Sequence, residues 1–240
     1  MSRPLVSVLT PTYNRRRFIP YLITCFKQQG YPQDKMEWII LDDGTDKVGD
    51  LFAASGLKNV RYYSEDIKLN IGAKRNKLNT LAKGDIIVCM DDDDYYPPER
   101  VSHVVTRLNA NPKYQLCGSS EIYMFYSDNK KIYQVGPYIT NRDGTTNHGT
   151  NGTMAYRKEY FDNHKYDEAV THAEEKSFLN NYSEPMHQLD PWKVMLVMSH
   201  SENTFDKKKL RDNNPMFKLT ALKINRFIKD KAMRDFFQEA

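Results

Sequence analysis

Positions 91–94 are all aspartate. Four adjacent carboxylates repel one another, so a cation is expected among them. In an extended stretch alternate side chains share a face, which turns Asp91 and Asp93 together into a cleft and Asp92 away from it. Two hard oxygen ligands suit Mn2+ or Mg2+, cations that keep water and phosphate oxygens as their other ligands. The bland alternative is a solvated acidic turn. The run lies directly after the apolar residues 86–90 and before Pro97 and Pro98, which favours a site. A second group of charges opens a helix at 70–76, sequence NIGAKRN. Asn70 stands where it could cap that helix, helix N-termini attract phosphate, and Lys74 and Arg75 add cationic donors. By itself a solvated basic helix face is the commoner meaning of such a pattern. It gains weight from lying one element before the aspartates.

These groups need a scaffold that gathers them. Strand-like runs at 5–10, 37–41, 60–63 and 86–90 alternate with helical patterns at 17–29, 47–54, 70–82 and 98–109. Strand, helix, strand, helix predicts a doubly wound, mostly parallel sheet with helices on both faces. In such a sheet ligands bind beyond the carboxyl ends of the strands. Three of those ends are polar: Thr10-Pro11-Thr12-Tyr13-Asn14, Asp42-Asp43-Gly44-Thr45 and the aspartate run. After residue 114 the pattern changes. Residues 122–126 and 132–135 flank a turn and predict a hairpin. The polar stretch 138–152 is a loop of the kind that carries function. Short strands are expected at 153–156 and 194–198, and a short helix at 173–181.

The stretches SVLTPTYNR (7–15), ILDDGT (40–45), GAKRN (72–76) and MDDDDYYPPE (90–99) resemble, in order and spacing, the family 2 glycosyltransferases of the GT-A fold. The resemblance covers about the first 110 residues. It implies an enzyme that moves a sugar from a nucleotide diphosphate donor to an acceptor, usually with inversion and a divalent cation. It implies that Thr10, Pro11 and Tyr13 line the nucleotide pocket and that Asp43, rather than Asp42, binds the base. Arg75 would reach the base or the phosphates, Asp91 or Asp92 the ribose, and Asp93 would be the metal ligand. THAEEKSFL (171–179) resembles the family's Glu-Asp motif, which makes Glu175 the base that deprotonates the acceptor hydroxyl, with Glu174 the alternative. Glu175 stands where the family usually has Asp. Adjacent helical residues point about 100° apart, so only one of the two should face the acceptor. A helix start enriched in acid for its dipole is the plain reading of the same pair. By resemblance too, Asn151 and Gly152 in HGTNGT (148–153) would meet the donor sugar or acceptor. His200 would complete the metal or pyrophosphate site, with Asn203 and Thr204 closing it.

The chain has 240 residues and a formal charge of +4, with 40% hydrophobic and 28% charged residues, a soluble globular composition. No apolar run approaches the ~18 residues of a spanning helix, and no signal peptide is read at the N-terminus. Cys25, Cys89 and Cys117 lie far apart in apolar surroundings, as reduced core residues of a cytoplasmic-type compartment do. The positive charge is concentrated late. Residues 205–240 carry ten Lys/Arg and five Asp/Glu, leaving −1 for the first 204. This argues against a nucleic-acid partner. The expected organisation is one GT-A domain at 1–204 (nucleotide-sugar half 1–110, acceptor half 111–204) followed by a basic helical extension at 205–240. That extension is expected to be helical from a cap at Asn213 or Asn214, with Phe217, Ala221, Ile224 and Ile228 on one face. It would pack on the domain, or else touch a membrane surface near a lipid-linked acceptor. The partners expected are a nucleotide sugar, with UDP favoured because Asp43 can accept from a uracil N–H, and a glycan-type acceptor. Two competing functions are a nucleotidyltransferase on a similar sheet and an inactive sugar- or nucleotide-binding module.

Overall fold

The computed structural model describes residues 3–171, 173–203, 207–212 and 214–240; Thr204 and Asn213 lie outside them. The first half builds β1 (Val6–Thr12), α1 (Ile19–Lys27), β2 (Met36–Asp42), α2 (Gly49–Ala54), β3 (Val60–Ser64), α3 (Ile71–Leu81), β4 (Ile86–Cys89) and α4 (Arg100–Ala110). Every residue of β1, β2 and β4 is buried, as expected where helices cover both faces of a parallel sheet. Alternate residues of those strands feed two cores. Val6, Val8, Trp38, Ile40, Ile86 and Val88 face α1 and α4. Leu9, Ile39, Leu41, Ile87 and Cys89 face the opposite way, toward Leu78 of α3.

The second half adds β5 (Leu116–Gly118), β6 (Ile122–Tyr126), β7 (Lys131–Val135), β8 (Ala155–Arg157), α5 (Tyr160–Asn163), α6 (Glu175–Phe178), β9 (Met186–Gln188), β10 (Leu196–Ser199), α7 (Lys207–Arg211), β11 (Phe217–Leu219) and α8 (Lys231–Glu239). The central sheet runs β3-β2-β1-β4-β8-β5-β9. β1 pairs in parallel with both β2 and β4, and β8 lies antiparallel between β4 and β5. Strand order therefore reverses at β1, and a crevice opens there beyond the carboxyl ends of β1 and β4. A second sheet, β10-β6-β7-β11, contains the expected hairpin.

Two expectations are corrected. The helix at 173–181 shrinks to α6, because Asn180, Asn181 and Tyr182 turn left-handed with φ of 46°, 54° and 64°. The extension is not one helix from residue 213 or 214. Residues Phe217–Leu219 instead pair antiparallel with β7, covering an edge that would otherwise be open. A single 3-10 turn follows at Ile224–Arg226, and α8 begins only where Asp230 accepts from the Met233 N–H at 2.7 Å. Ala221 is exposed, whereas Ile224, Ile228, Met233 and Phe237 are buried in the core beside α1 and α4. The three cysteines are free and buried. Among the described residues no helix is long and apolar enough to cross a membrane.

Candidate active site

A cleft of about 740 Å³ occupies the crevice. Pro11, Thr12, Tyr13, Arg15, Lys74, Arg75 and the four aspartates line it from the first half of the chain, and Met124, Tyr138, His148, Thr150, Glu175 and Lys207 from the second. Both halves of the chain therefore meet in one cavity.

In the first half the loops after β1 and β2 brace one another. Asn14, at φ 53°, accepts through Oδ1 from the N–H groups of Thr45 and Asp46 at 2.8 and 3.0 Å. A Cβ on Gly44 would stand 2.6 Å from the Asn14 nitrogen, so only glycine fits that crossing. Asp42 is fully buried and accepts from Gly44 N–H, Val48 N–H and the Tyr62 hydroxyl at 2.8, 2.9 and 2.6 Å. Thr10 accepts from the Trp38 indole at 2.9 Å. Thr10 and Asp42 thus lie beneath the cleft and hold its loops. Asp43 accepts from Leu69 N–H at 2.7 Å and is paired with Lys74, whose ammonium also donates to the Thr12 carbonyl at 3.0 Å. Burial pulls the Lys74 ammonium below its ordinary value, against the pull of Asp43. Asn70 occupies the capping position of α3, but its side chain donates to the Glu168 carbonyl instead of capping.

The aspartates divide into unlike environments. Asp91 accepts from Arg75 Nη2 at 3.0 Å. Burial first, and then repulsion from Asp93, push the Asp92 carboxyl up to about 7. Burial also opposes the charge on Asp93, yet a hydrogen bond with His200 and the charges of Lys207 and Arg15 hold its carboxyl well below the usual range. The Glu202 N–H donates to His200 Nδ1 at 3.2 Å. His200 Nε2 lies 3.1 Å from Asp93 Oδ2 and 2.8 Å from Asn203 Nδ2, which itself donates to the same Asp93 oxygen at 3.2 Å. Asp94 is turned inward to accept from Met198 N–H at 2.7 Å, and burial raises its carboxyl well above its ordinary value.

Glu174 and Glu175 point in different directions, as the helical offset requires. Glu174 is bound by Arg75 Nε at 2.7 Å. Glu175 faces the cleft, and burial together with the charge of Glu174 pushes its carboxyl up to about 7. Asn151 and Gly152 are buried under the cleft wall, where Asn151 donates to the Tyr166 hydroxyl at 3.0 Å. A Cβ on Gly152 would stand 3.0 Å from Asp91 Oδ2. Their neighbours His148 and Thr150 reach the cavity instead.

Several side chains at the site carried no sequence expectation, Lys207 among them. Arg15 approaches Asp93 and Asp92 at 3.5 and 3.8 Å. Lys68 sits 4.0 Å from the Tyr13 ring centroid. Tyr138 belongs to the loop already marked as functional. Arg100 is fully buried, and its Nη2 donates to the carbonyls of Cys89, Gly152 and Met154 at 3.2, 3.2 and 2.9 Å, tying the end of β4 to the turn beside it. An arginine just after Pro-Pro-Glu was the available signal for Arg100. Among the described residues no group of three or more His, Cys, Asp or Glu side chains is placed to hold a metal ion.

Residues 7–166 match the description "Glycosyl transferase family 2". By sequence the chain is 32% identical over 104 residues to the putative colanic acid biosynthesis glycosyl transferase WcaA of Escherichia coli, across 42% of this chain and 37% of that protein. It is 28% identical over 116 residues to the poly(ribitol-phosphate) beta-N-acetylglucosaminyltransferase TarS of Staphylococcus aureus, across 44% of this chain and 19% of that one. The matches thus span less than half the length of either relative. Among solved structures, the Pyrobaculum calidifontis mannosyltransferase PcManGT in complex with GDP-Man and Mn2+ superposes with a TM-score of 0.66 at 17% identity, over 85% of this chain and 59% of that one. S. aureus TarS 1–349 in complex with UDP-GlcNAc gives 0.66 at 18% identity, over 98% and 70%. The mixed sheet flanked by helices is therefore a GT-A fold, and the chain belongs to glycosyl transferase family 2.

Proposed function

We propose that the chain is a metal-dependent, inverting glycosyltransferase that moves a sugar from a nucleotide diphosphate donor to a hydroxyl of a glycan-type acceptor. The observation that supports this most is the placing of Glu175, its carboxyl raised to about 7, on the same cleft as Asp93 and Arg75. An inverting displacement needs a carboxylate that takes the acceptor proton near neutral pH and a separate site for the charge leaving with the diphosphate. Glu175 suits the first task. Arg15, Lys74, Arg75 and Lys207 suit the second.

The aspartate cluster fits a hard divalent cation, Mn2+ or Mg2+. All four carboxylates line the cleft, and Arg15 lies 3.5 and 3.8 Å from Asp93 and Asp92. Asp93 would hold the ion, with Asp91 or His200 beside it, and diphosphate oxygens and water would complete the shell. When bound, the ion would offset charge growing on the leaving group. His200 and Asn203 keep the Asp93 carboxylate oriented, and Glu174 keeps Arg75 aimed at Asp91.

Tyr13, Pro11 and Asp43 are the proposed nucleotide contacts. A UDP sugar is the favoured donor, since the TarS complex that this chain resembles holds UDP-GlcNAc. The exposed Lys209, Lys218, Lys223 and Lys229 of the extension would allow a peripheral contact with an anionic membrane, on the cytoplasmic side. The test is a hydrolysis screen of nucleotide sugars with and without Mn2+, followed by NMR of the released anomer. Metal-dependent release of the inverted sugar is expected. Release of pyrophosphate from a nucleoside triphosphate, or no turnover at all, would replace this reading.

A further inference from the structure

The acceptor side of the cleft carries an aromatic shelf. The Tyr138 and His148 rings are 4.8 Å apart, and the His148 and Tyr182 rings 5.5 Å apart. Tyr138 and His148 face the same cavity as Glu175, and both are only half-buried. Tyr182 lies close enough to Glu175 that the carboxylate adds to burial in raising its phenol.

The rings come from two segments, the loop holding Tyr138 and His148 and the turn holding Tyr182, which polar side chains lock together. Thr146 Oγ1 donates to the Tyr138 carbonyl and accepts from the His148 N–H. Gln188 Nε2 bridges the carbonyls of Thr146 and His148 at 3.2 and 3.0 Å. Asn147 donates to the Tyr182 carbonyl at 3.1 Å. Tyr182 itself is held at φ 64°, a conformation a bulky side chain adopts only when its surroundings impose it. The shelf is thus rigid before any ligand arrives, which lowers the ordering cost of binding.

Its chemistry is specific. Aromatic faces are electron-rich and favour partially positive C–H groups, and one face of a pyranose presents a row of them. Burial pulls the His148 imidazole down to about 4, so it is neutral at physiological pH. Its Nδ1 is buried with no hydrogen-bond partner among the described residues, so the ring meets a ligand through its apolar surface. In the proposed roles Tyr13, Lys74 and Arg75 hold the nucleotide diphosphate. The group beside Glu175 must be the one that gives up its proton.

We propose that Tyr138 and His148, backed by Tyr182, seat the terminal pyranose ring of the acceptor, so that the acceptor is a glycan ending in a pyranose rather than an acyclic polyol chain. This rests on the glycosyltransferase reading with Glu175 as base. Saturation-transfer NMR on the full chain with UDP and Mn2+ tests it, using methyl β-D-glucopyranoside, methyl β-D-galactopyranoside and ribitol as probes. At least one pyranoside should show transfer to the protons of one ring face, and ribitol none. Tyr138→Ala and His148→Ala should weaken that signal at least fivefold, and Tyr138→Phe, which keeps the ring, should retain it. Thermal shift with UDP identifies the variants that are folded. Equal transfer to ribitol, or full pyranoside signal in a folded Tyr138→Ala or His148→Ala protein, would overturn the proposal. The NMR needs no turnover, so failure of the enzymatic reading appears separately, as wild-type protein that hydrolyses no nucleotide sugar.

Discussion

Arg75 donates through Nε to Glu174 at 2.7 Å, and both side chains are almost fully buried. The pair separates two adjacent glutamates into different tasks. Glu174 neutralises a buried guanidinium that also holds Asp91, whereas Glu175 is left to the cleft. Glu175→Gln should abolish transfer while nucleotide-sugar binding, measured by calorimetry, stays within about threefold of wild type. Glu174→Gln keeps an oxygen that can accept from Arg75 and should lower transfer only modestly. Glu174→Ala leaves the buried charge one partner short and should cost about 3 kcal/mol of stability in urea denaturation. A Glu174→Gln protein without activity beside an active Glu175→Gln protein would reverse the assignment.

The pH dependence of Glu175 has a definite sign. Its folded-state value, about 7, lies above its ordinary 4.5. Its contribution to stability is therefore complete below about 4.5 and is lost as pH rises through about 7, where the folded protein must ionise a half-buried carboxyl. Glu175→Gln should be more stable than wild type at pH 8, by something on the order of 1–3 kcal/mol, and should lose that advantage at pH 4.5. As a base the group must be ionised, so kcat/KM should rise tenfold per pH unit below about 7 and level off above it. Asp92 also titrates near 7. The rising limb should therefore survive in Asp92→Asn, and a flat profile in wild type would remove Glu175 as the base.

Asp93 and His200 meet although 107 positions separate them. Asp93→Ala should abolish metal-dependent transfer and leave the fold intact by circular dichroism. His200→Ala removes the ring that orients the carboxylate. Such a loss typically weakens metal affinity 10- to 100-fold, which a Mn2+ titration of donor hydrolysis would reveal as a raised half-saturating concentration. Unchanged Mn2+ dependence in His200→Ala would separate His200 from the metal site.

Local patterns made the first half of the chain legible. The buried runs of β1, β2 and β4 and the polar residues that end them can be read without knowing any contact, because strand and ligand site are adjacent in sequence. What stayed hidden depends on distant segments. Asp42 and Asp43 look equivalent on the page, but the Tyr62 hydroxyl captures one and Lys74 the other. The pattern at 217–228 fits a helical stripe, yet residues 217–219 are claimed by the open edge of β7, a tertiary demand that overrides periodicity. Asn151 and Gly152 were the conspicuous residues of their loop. The turn at Asn151–Thr153 buries them, and His148 and Thr150 face the cavity.

The extension reaches His200 and the proposed metal site through stacked rings. Phe236 of α8 lies 4.1 Å from the Tyr21 ring and edge-on to Phe18 at 5.2 Å, and Phe18 packs against the His200 ring at 4.5 Å. Arg17 covers Phe236 at 5.2 Å and is paired with Glu202, the residue whose N–H lies 3.2 Å from His200 Nδ1. Removing the Phe236 ring frees Phe18 and Arg17 together, and His200 loses the surface that sets its tilt toward Asp93. Phe236→Ala should therefore raise the half-saturating Mn2+ concentration several-fold, although Phe236 touches neither Asp93 nor the nucleotide contacts. Phe237 is the control on the same helix. It is buried at 3% exposure, so Phe237→Ala should cost about 3–5 kcal/mol in denaturation. Partial restoration of the metal requirement in Phe236→Leu, which refills some of the volume against Phe18, would confirm that packing transmits the effect. Identical Mn2+ titrations for Phe236→Ala and wild type would confine the extension to a purely stabilising role.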